Sequence, residues 1–231
     1  KETVDLCRDL GAIATAVSTD ISNEEEVKNL VDQALQFNGR IDIWINNAGV
    51  MASGKFEEIP METQEQLIKT NLFGYMYSAY HVLPIFKKQN EGILINNVSI
   101  GAFMPAPYSA AYSASKKGIA GLMETLQGEI SDFPDIHISN IYPGIQRSTG
   151  NQHSAKYSGL DFKIPPLAAD PRDTAAKFVE LAKNPKKGMF PDELFTACLN
   201  NYVEDFQKRY NCKIRWTTLL IMKSEYWRSP D

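Results

Sequence analysis

Short apolar runs rich in β-branched residues alternate with longer stretches of helical period along most of this chain, and few folds accept that order. "AIATAVS" (12–18) reads as a strand, and "NEEEVKNLVDQALQF" (23–37) as a helix opened by Ser22, Asn23 and an acidic first turn, with Gly39 just beyond its end. "IDIWIN" (41–46) reads as a strand of the continuous apolar kind, buried on both faces. A long helix over roughly 62–88, a strand at 92–99, a second long helix over about 110–131 and a strand at 136–142 follow. Pro171 suits the first turn of a helix over 171–184, and "GMF" (188–190) is placed to close the sheet. Such alternation predicts an α/β fold, a doubly wound parallel sheet in three layers, α/β/α.

Composition narrows the function classes. A net charge of −4 and a pI near 5.5 argue against a nucleic-acid or anionic-membrane binder. No apolar run approaches the roughly 20 residues that span a bilayer, and "KETVDLCRDLGA" has no signal-peptide core. Cys7, Cys198 and Cys212 are odd in number and scattered, and His81, His137 and His153 form no ligand pattern. The expectation is a reduced, cytoplasmic protein with no metal site. Residues 1–190 are expected to form one domain, and 191–231 a C-terminal helix and tail packed on it or on a partner subunit. Residues 144–170, with several Pro and Gly, form one long irregular stretch of the kind that is usually functional or disordered.

In open α/β sheets, ligands bind beyond the carboxyl ends of the strands. That rule selects Asp20-Ile21, "NNAG" (46–49), Ser99 and "YPG" (142–144), and predicts one crevice lined by all four. In the helix that follows Ser99, "YSASK" sets Tyr112 and Lys116 four residues apart, on one face.

"NNAG" at a strand end, Asn71 in "TNLFG", Ser99, Tyr112 and Lys116 in "YSASK", and Pro143-Gly144 together resemble the short-chain dehydrogenase/reductase family. Ser99 lies thirteen residues before Tyr112, the family's own spacing. Each motif alone is weak; five in order at the ends of the right elements are specific. The resemblance runs from residue 1 to about 190 and implies a Rossmann-type fold.

It also implies an activity: an NAD- or NADP-dependent oxidoreductase that interconverts an alcohol and a ketone or aldehyde, with NADP slightly favoured. Tyr112 would be the general acid/base, Lys116 its charge partner, Ser99 a donor to the substrate oxygen, and Asn71 the holder of a water linking Lys116 to solvent. A free phenol is a poor proton exchanger at neutral pH, and a lysine ammonium within about 4–6 Å would favour the phenolate. Asp20 and Ile21 would flank the adenine, Asn46, Ala48 and Gly49 the adenosine ribose, and Pro143, Gly144 and Ile145 the nicotinamide. Ser148 stands where the family usually has a carboxamide-binding Thr. The implied partners are a small-molecule alcohol or carbonyl substrate and a second copy of the chain, giving a homodimer or homotetramer through the helices near 62–88 and 110–131. Small residues such as Gly74, Ala79, Gly118 and Gly121 permit that approach.

One departure is large. No G-x-G-x-x-G or near variant occurs in the 231 residues, so the first βαβ portion, roughly 40 residues by the size of such a unit, is expected to be missing from the sequence. Without it no helix N-terminus is offered to a pyrophosphate.

Plainer readings stand beside these. A Tyr and a Lys at i, i+4 often decorate a surface, "NNAG" and Pro143-Gly144 form turns readily, and Asp20 can cap the helix near Asn23. Trp44, Tyr75, Tyr77 and Tyr80 suit the core or an interface, and Lys186-Lys187 a solvated turn. His153 suits a solvated loop better than a substrate contact. A catalytically silent cofactor sensor or scaffold of the same fold remains the alternative to an enzyme. A nucleic-acid-binding relative would need basic clustering that the sequence lacks.

Overall fold

The computed structural model describes residues 2–148, 154–159 and 168–186, with the backbone of 188–191. Four parallel strands form the main sheet: β1 (Ile43–Asn46), β3 (Gly92–Asn97), β4 (Ile136–Tyr142) and β6 (Gly188–Pro191), in the order β1-β3-β4-β6. Helices α1 (Glu2–Asp9), α2 (Glu24–Asn38), α3 (Met61–Ile68), α4 (Gly74–Gln89), α5 (Ala110–Glu129) and α6 (Pro171–Lys183) accompany it. A second, two-residue-wide sheet pairs β2 (Ala52–Ser53) with β5 (Ala155–Lys156).

Local chemistry accounts for most of the boundaries. The side chain of Asn23 accepts from the amides of Glu25 and Glu26 at 3.0 and 3.3 Å, so Asn23 rather than Asp20 caps α2. Gly39 ends that helix at φ 73°, with its amide bonded to the Leu35 carbonyl. Asp170 caps α6 through the Arg172 amide, and Pro171 opens it where no amide hydrogen is needed.

One face of the sheet packs against α2, α4 and α5 through Leu94, Ile136, Ile138, Val82, Phe86, Ile119 and Met123, all essentially buried. Phe86 lies flat on Gly92, where a Cβ would stand 2.2 Å from the ring. The other face carries Ile93, Ile95 and Ile141 under Phe178 and Leu181 of α6. Alternate strand residues serve the two layers, which is why these strands read as continuous apolar runs.

Two expectations are corrected. Residues 12–18 form no strand: no other strand pairs with them among the described residues, and Ile13 is 88% exposed. An extended segment without a hydrogen-bonded neighbour has nothing to fix it as a strand. The run at 41–46 is a strand only at 43–46, and it is not buried on both faces, since Ile43 and Ile45 are 39% and 47% exposed. β1 is an edge of the described sheet, and α6 packs on β3 and β4. The expected 191–231 tail falls, except for Pro191, outside the described residues.

The expected long helix at 62–88 is present but interrupted. Between α3 and α4, Lys69–Phe73 form a π turn. One extra residue in the turn swings Asn71 into the protein, where it is fully buried.

Candidate active site

Three asparagines align across the carboxyl half of the sheet. Asn46 faces Asn96 and Asn96 faces Asn140 in the strand register. Their amides form a buried ladder: Trp44 Nε1 donates to Asn46 Oδ1 at 3.0 Å, Asn46 Nδ2 to Asn96 Oδ1 at 2.9 Å, and Asn96 Nδ2 to Asn140 Oδ1 at 3.0 Å. Asn46 and Asn96 each donate and accept, and Asn140 accepts with its Nδ2 left unpartnered at the end of the row. The ladder fixes the strand register beneath the site.

Just beyond the ladder the strand ends open into a cleft of about 430 Å³. Ser99, Tyr112, Lys116, Gly49, Pro143, Gly144, Ile145 and Ser148 all line it. Gly101 packs beneath the pair: a Cβ there would meet Tyr112 Cε1 at 3.3 Å and Ser99 Oγ at 3.4 Å. Ser99 Oγ accepts from the Gly101 amide at 3.0 Å, which holds the hydroxyl in place.

Lys116 comes from the same face of α5 as Tyr112 and is buried. Its Nζ donates to the Asn97 carbonyl at 2.9 Å and lies 5.4 Å from the Tyr75 ring centre and 5.8 Å from that of Tyr112. Tyr75 OH donates to the same carbonyl at 3.0 Å, so both lone pairs of that oxygen are used. Burial lowers the Lys116 amine from its ordinary value to about 7.

The expected acidification of Tyr112 is reversed in this arrangement. Burial pushes its phenol up, with a hydrogen bond to Ser99 working in the lowering direction. The physical reason is the desolvation of the phenol itself, which the Ser99 hydrogen bond opposes. Burial favours the neutral form of each group.

The side chain of Asn71 bonds both the loop after β1 and α5. Its Oδ1 accepts from the Val50 amide at 2.8 Å, and its Nδ2 donates to the Val50 carbonyl at 2.9 Å and to Ser115 Oγ at 3.1 Å. Both amide hydrogens are therefore occupied. The side chain ties the loop after β1 to α5, and Gly49 rests on it: a Cβ there would meet Asn71 Oδ1 at 3.3 Å and Lys116 Nζ at 3.6 Å.

Of the remaining expected contacts, Asp20, Ile21, Asn46 and Ala48 are not brought to the cleft. Asp20 accepts from the amide and hydroxyl of Ser22, which holds its carboxyl below the usual range. Ile21 packs on Gly74, whose Cβ would lie 2.9 Å from it. Asn46 belongs to the ladder. The crevice is lined from three of the four expected places.

Residues not anticipated include Asn97, Gln146, Met51 and Met104, while Asn47 of "NNAG" does line the cleft. Asn97 follows the ladder asparagine on β3, and its Nδ2 donates to Asn47 Oδ1 at 2.8 Å. The sequence did carry a signal for the ladder, since "IN", "IN" and "SN" recur at matching points of three strands. A strap over the outer wall had none. Tyr157 N donates to Ser53 O at 2.8 Å, Lys55 N to Ser158 Oγ at 2.8 Å, and Tyr157 OH lies 3.1 Å from Thr63 Oγ1. Tyr157 thereby packs in one cluster with Ala52, Ile59, Leu67 and Tyr112.

A second cavity of about 520 Å³ shares Asn47, Asn97, Gln146 and Ser148 with the cleft and runs on to Pro171, Thr174 and Phe178. The two cavities adjoin at the strand ends. Gln146 Nε2 donates to Thr174 Oγ1 along the wall of the second.

A parallel sheet with helices on both faces, and a Ser, Tyr and Lys gathered in a cleft at its carboxyl edge, defines a Rossmann-type α/β protein. The chain belongs to the short-chain dehydrogenase family, whose profile, described as short chain dehydrogenase, matches residues 1–158. It is 33% identical over 195 residues to an uncharacterized oxidoreductase of Thermotoga maritima, covering 81% of this chain and 75% of that protein. It is 32% identical over 180 residues to a 3-ketodihydrosphingosine reductase of Bacteroides thetaiotaomicron, covering 77% of this chain and 64% of that one. Among solved structures, a short-chain dehydrogenase from Streptomyces avermitilis superposes with a TM-score of 0.74 at 23% identity, covering 97% of this chain and 84% of that one. An alcohol dehydrogenase from the archaeon Thermococcus sibiricus, complexed with 5-hydroxy-NADP, gives 0.69 at 20% identity, covering 81% and 77%. At those identities the two structures speak to the fold.

No described helix is long and apolar enough to cross a membrane. No group of three metal-ligating side chains occurs among the described residues.

Proposed function

We propose that this chain is an NAD(P)-dependent oxidoreductase that interconverts an alcohol and a ketone or aldehyde, with Tyr112, Lys116 and Ser99 as its catalytic residues. The observation that carries the reading is the gathering of those three side chains in one cleft at the sheet's carboxyl edge. The names of the oxidoreductase relatives and the NADP analogue in one structural neighbour point the same way.

The cleft fits the nicotinamide end of such a cofactor. Gly49, Pro143, Gly144, Ile145 and Ser148 line it with little side-chain bulk beside Tyr112 and Lys116, and Ser148 keeps a hydroxyl for a carboxamide. Nothing described supplies a glycine-rich helix start for a pyrophosphate. When bound, the cofactor supplies or accepts the hydride at the substrate carbon. The rest is proton management by this chain. The Tyr112 phenol, kept neutral by burial, carries the proton that a carbonyl oxygen receives on reduction and takes it back on oxidation. Ser99 donates to the same oxygen, and the Gly101 amide steadies Ser99. Lys116, near 7, passes between its two forms at neutral pH and so suits proton exchange with Tyr112. Asn71 acts one step back, fixing Val50 and Gly49 against α5.

The decisive experiment is turnover of a carbonyl panel with NADH and NADPH by the wild type and Tyr112→Phe. Loss of the positioned acid lowers kcat roughly a hundredfold or more. A Tyr112→Phe enzyme with unchanged turnover removes Tyr112 from the mechanism, and cofactor binding with no turnover in the wild type favours a sensor.

The same reading includes self-association through α4 and α5. Met76 and Tyr80 stand exposed on α4, with Phe73 exposed at the end of the π turn before it; Gly121 and Gly128 have open space on α5, and Gly74 and Gly118 are already packed within the chain. Light scattering after size exclusion checks it: a monomer rejects it.

A further inference from the structure

The cleft is asymmetric in charge. Among the described residues that line it, Lys116 is the single charged one, with no carboxylate, arginine or histidine. Lys116 is a poor anchor for an anion. Its amine donates to the Asn97 carbonyl, sits between two aromatic rings, and is lowered to about 7 by burial. Around Ser99 and Tyr112 the walls are instead apolar: Val50, Met51, Val98, Ile100, Met104 and Ile145. Of the hydroxyls at that end, Ser109 donates to the Ala106 carbonyl, while Ser113 Oγ is buried with no hydrogen-bond partner and suits an uncharged oxygen of a ligand. The apolar wall is also held in place. Asn71 bonds both backbone groups of Val50, the Ala155 amide donates to the Met51 carbonyl at 3.2 Å, and the Met104 amide donates to the Ile100 carbonyl at 2.9 Å.

We infer that the cleft takes uncharged carbonyl compounds or alcohols with an extended apolar flank, and excludes substrates that carry a carboxylate or phosphate near the reacting carbon. The inference rests on the reading of Ser99 and Tyr112 as partners of the substrate oxygen, and it names the substrate class of that site. Each methylene moved from water into such a wall is worth about 0.8 kcal/mol, about a fourfold gain in affinity. A carboxylate buried there finds no free cation among the described lining residues and leaves water without compensation. Two methionines suit this duty, because unbranched thioethers reshape around flanks of different length.

Calorimetric titration of the full chain with methyl ketones of increasing length, beside oxo acids of matched length, tests it. Affinity is expected to rise about fourfold per methylene until the cavity fills, with each oxo acid at least ~100-fold weaker than its matched ketone. Met104→Lys should flatten the series, and Met104→Ser, a milder change in case the first fails to fold, should reduce its slope. Oxo acids that bind as well as the ketones overturn the inference, and so does a series with no dependence on length. Turnover is read separately. Ketones that bind in the expected order but are not reduced with either nicotinamide cofactor overturn the proposed redox activity and leave the binding class standing. Reduction that prefers oxo acids does the reverse.

Discussion

Replacing Lys116 by Met should change how stability depends on pH in a defined direction. In the folded protein the amine is lowered from 10.5 to about 7, and desolvation is the cause. For a base whose folded value is depressed, the unfolded chain binds the extra proton, so stability rises with pH across the interval between the two values. Above about 10.5 Lys116 imposes no such cost; below about 7 the cost is fully present. At about 1.4 kcal/mol per pH unit, that interval corresponds to roughly 5 kcal/mol. Lys116→Met removes the proton-binding group, while Tyr75 OH still satisfies the Asn97 carbonyl. Urea denaturation of both proteins between pH 7 and 9.5 reads the difference, and titrations shared by the two cancel. The advantage of the variant should shrink with rising pH, by about 3 kcal/mol over that window. Two stability curves that run parallel would refute a desolvated Lys116.

Other expectations follow from single contacts. Asn96→Leu leaves Asn46 Nδ2 and Asn140 Oδ1 buried without partners, which should cost roughly 2–5 kcal/mol in urea denaturation; a loss below ~1 kcal/mol would show that the ladder is not structural. Gly54→Ala sets a Cβ 2.7 Å from Tyr157 Cβ, which should displace the strap at a cost of about 1–3 kcal/mol. Hydrogen exchange at the Tyr157 amide, bonded to Ser53 O, should then speed up, and unchanged protection would contradict the packing.

Much of this molecule was legible beforehand. The helices at 24–38, 110–129 and 171–183 and the strand at 136–142 follow local signals: Asn23 and Gly39 as caps, Pro171 at a first turn, and β-branched runs. The Ser99–Tyr112–Lys116 grouping was readable because it needs only one strand end and one helix face. Asp20, Ile21, Asn46 and Ala48 were placed by analogy along the chain, and the first three meet Ser22, Gly74 and the asparagine ladder.

The sequence by itself determined periodicity, caps and the i, i+4 pairing, because each depends on neighbours a few residues away. Tertiary structure alone decided which strand lies at an edge, that Asn71 turns inward on a π turn to clasp Val50, and that residues 154–159 lie against 51–55. It also set the protonation balance of Lys116 and Tyr112. Burial depends on segments that meet only after the chain has closed on itself, and no local pattern encodes how much water a side chain will lose.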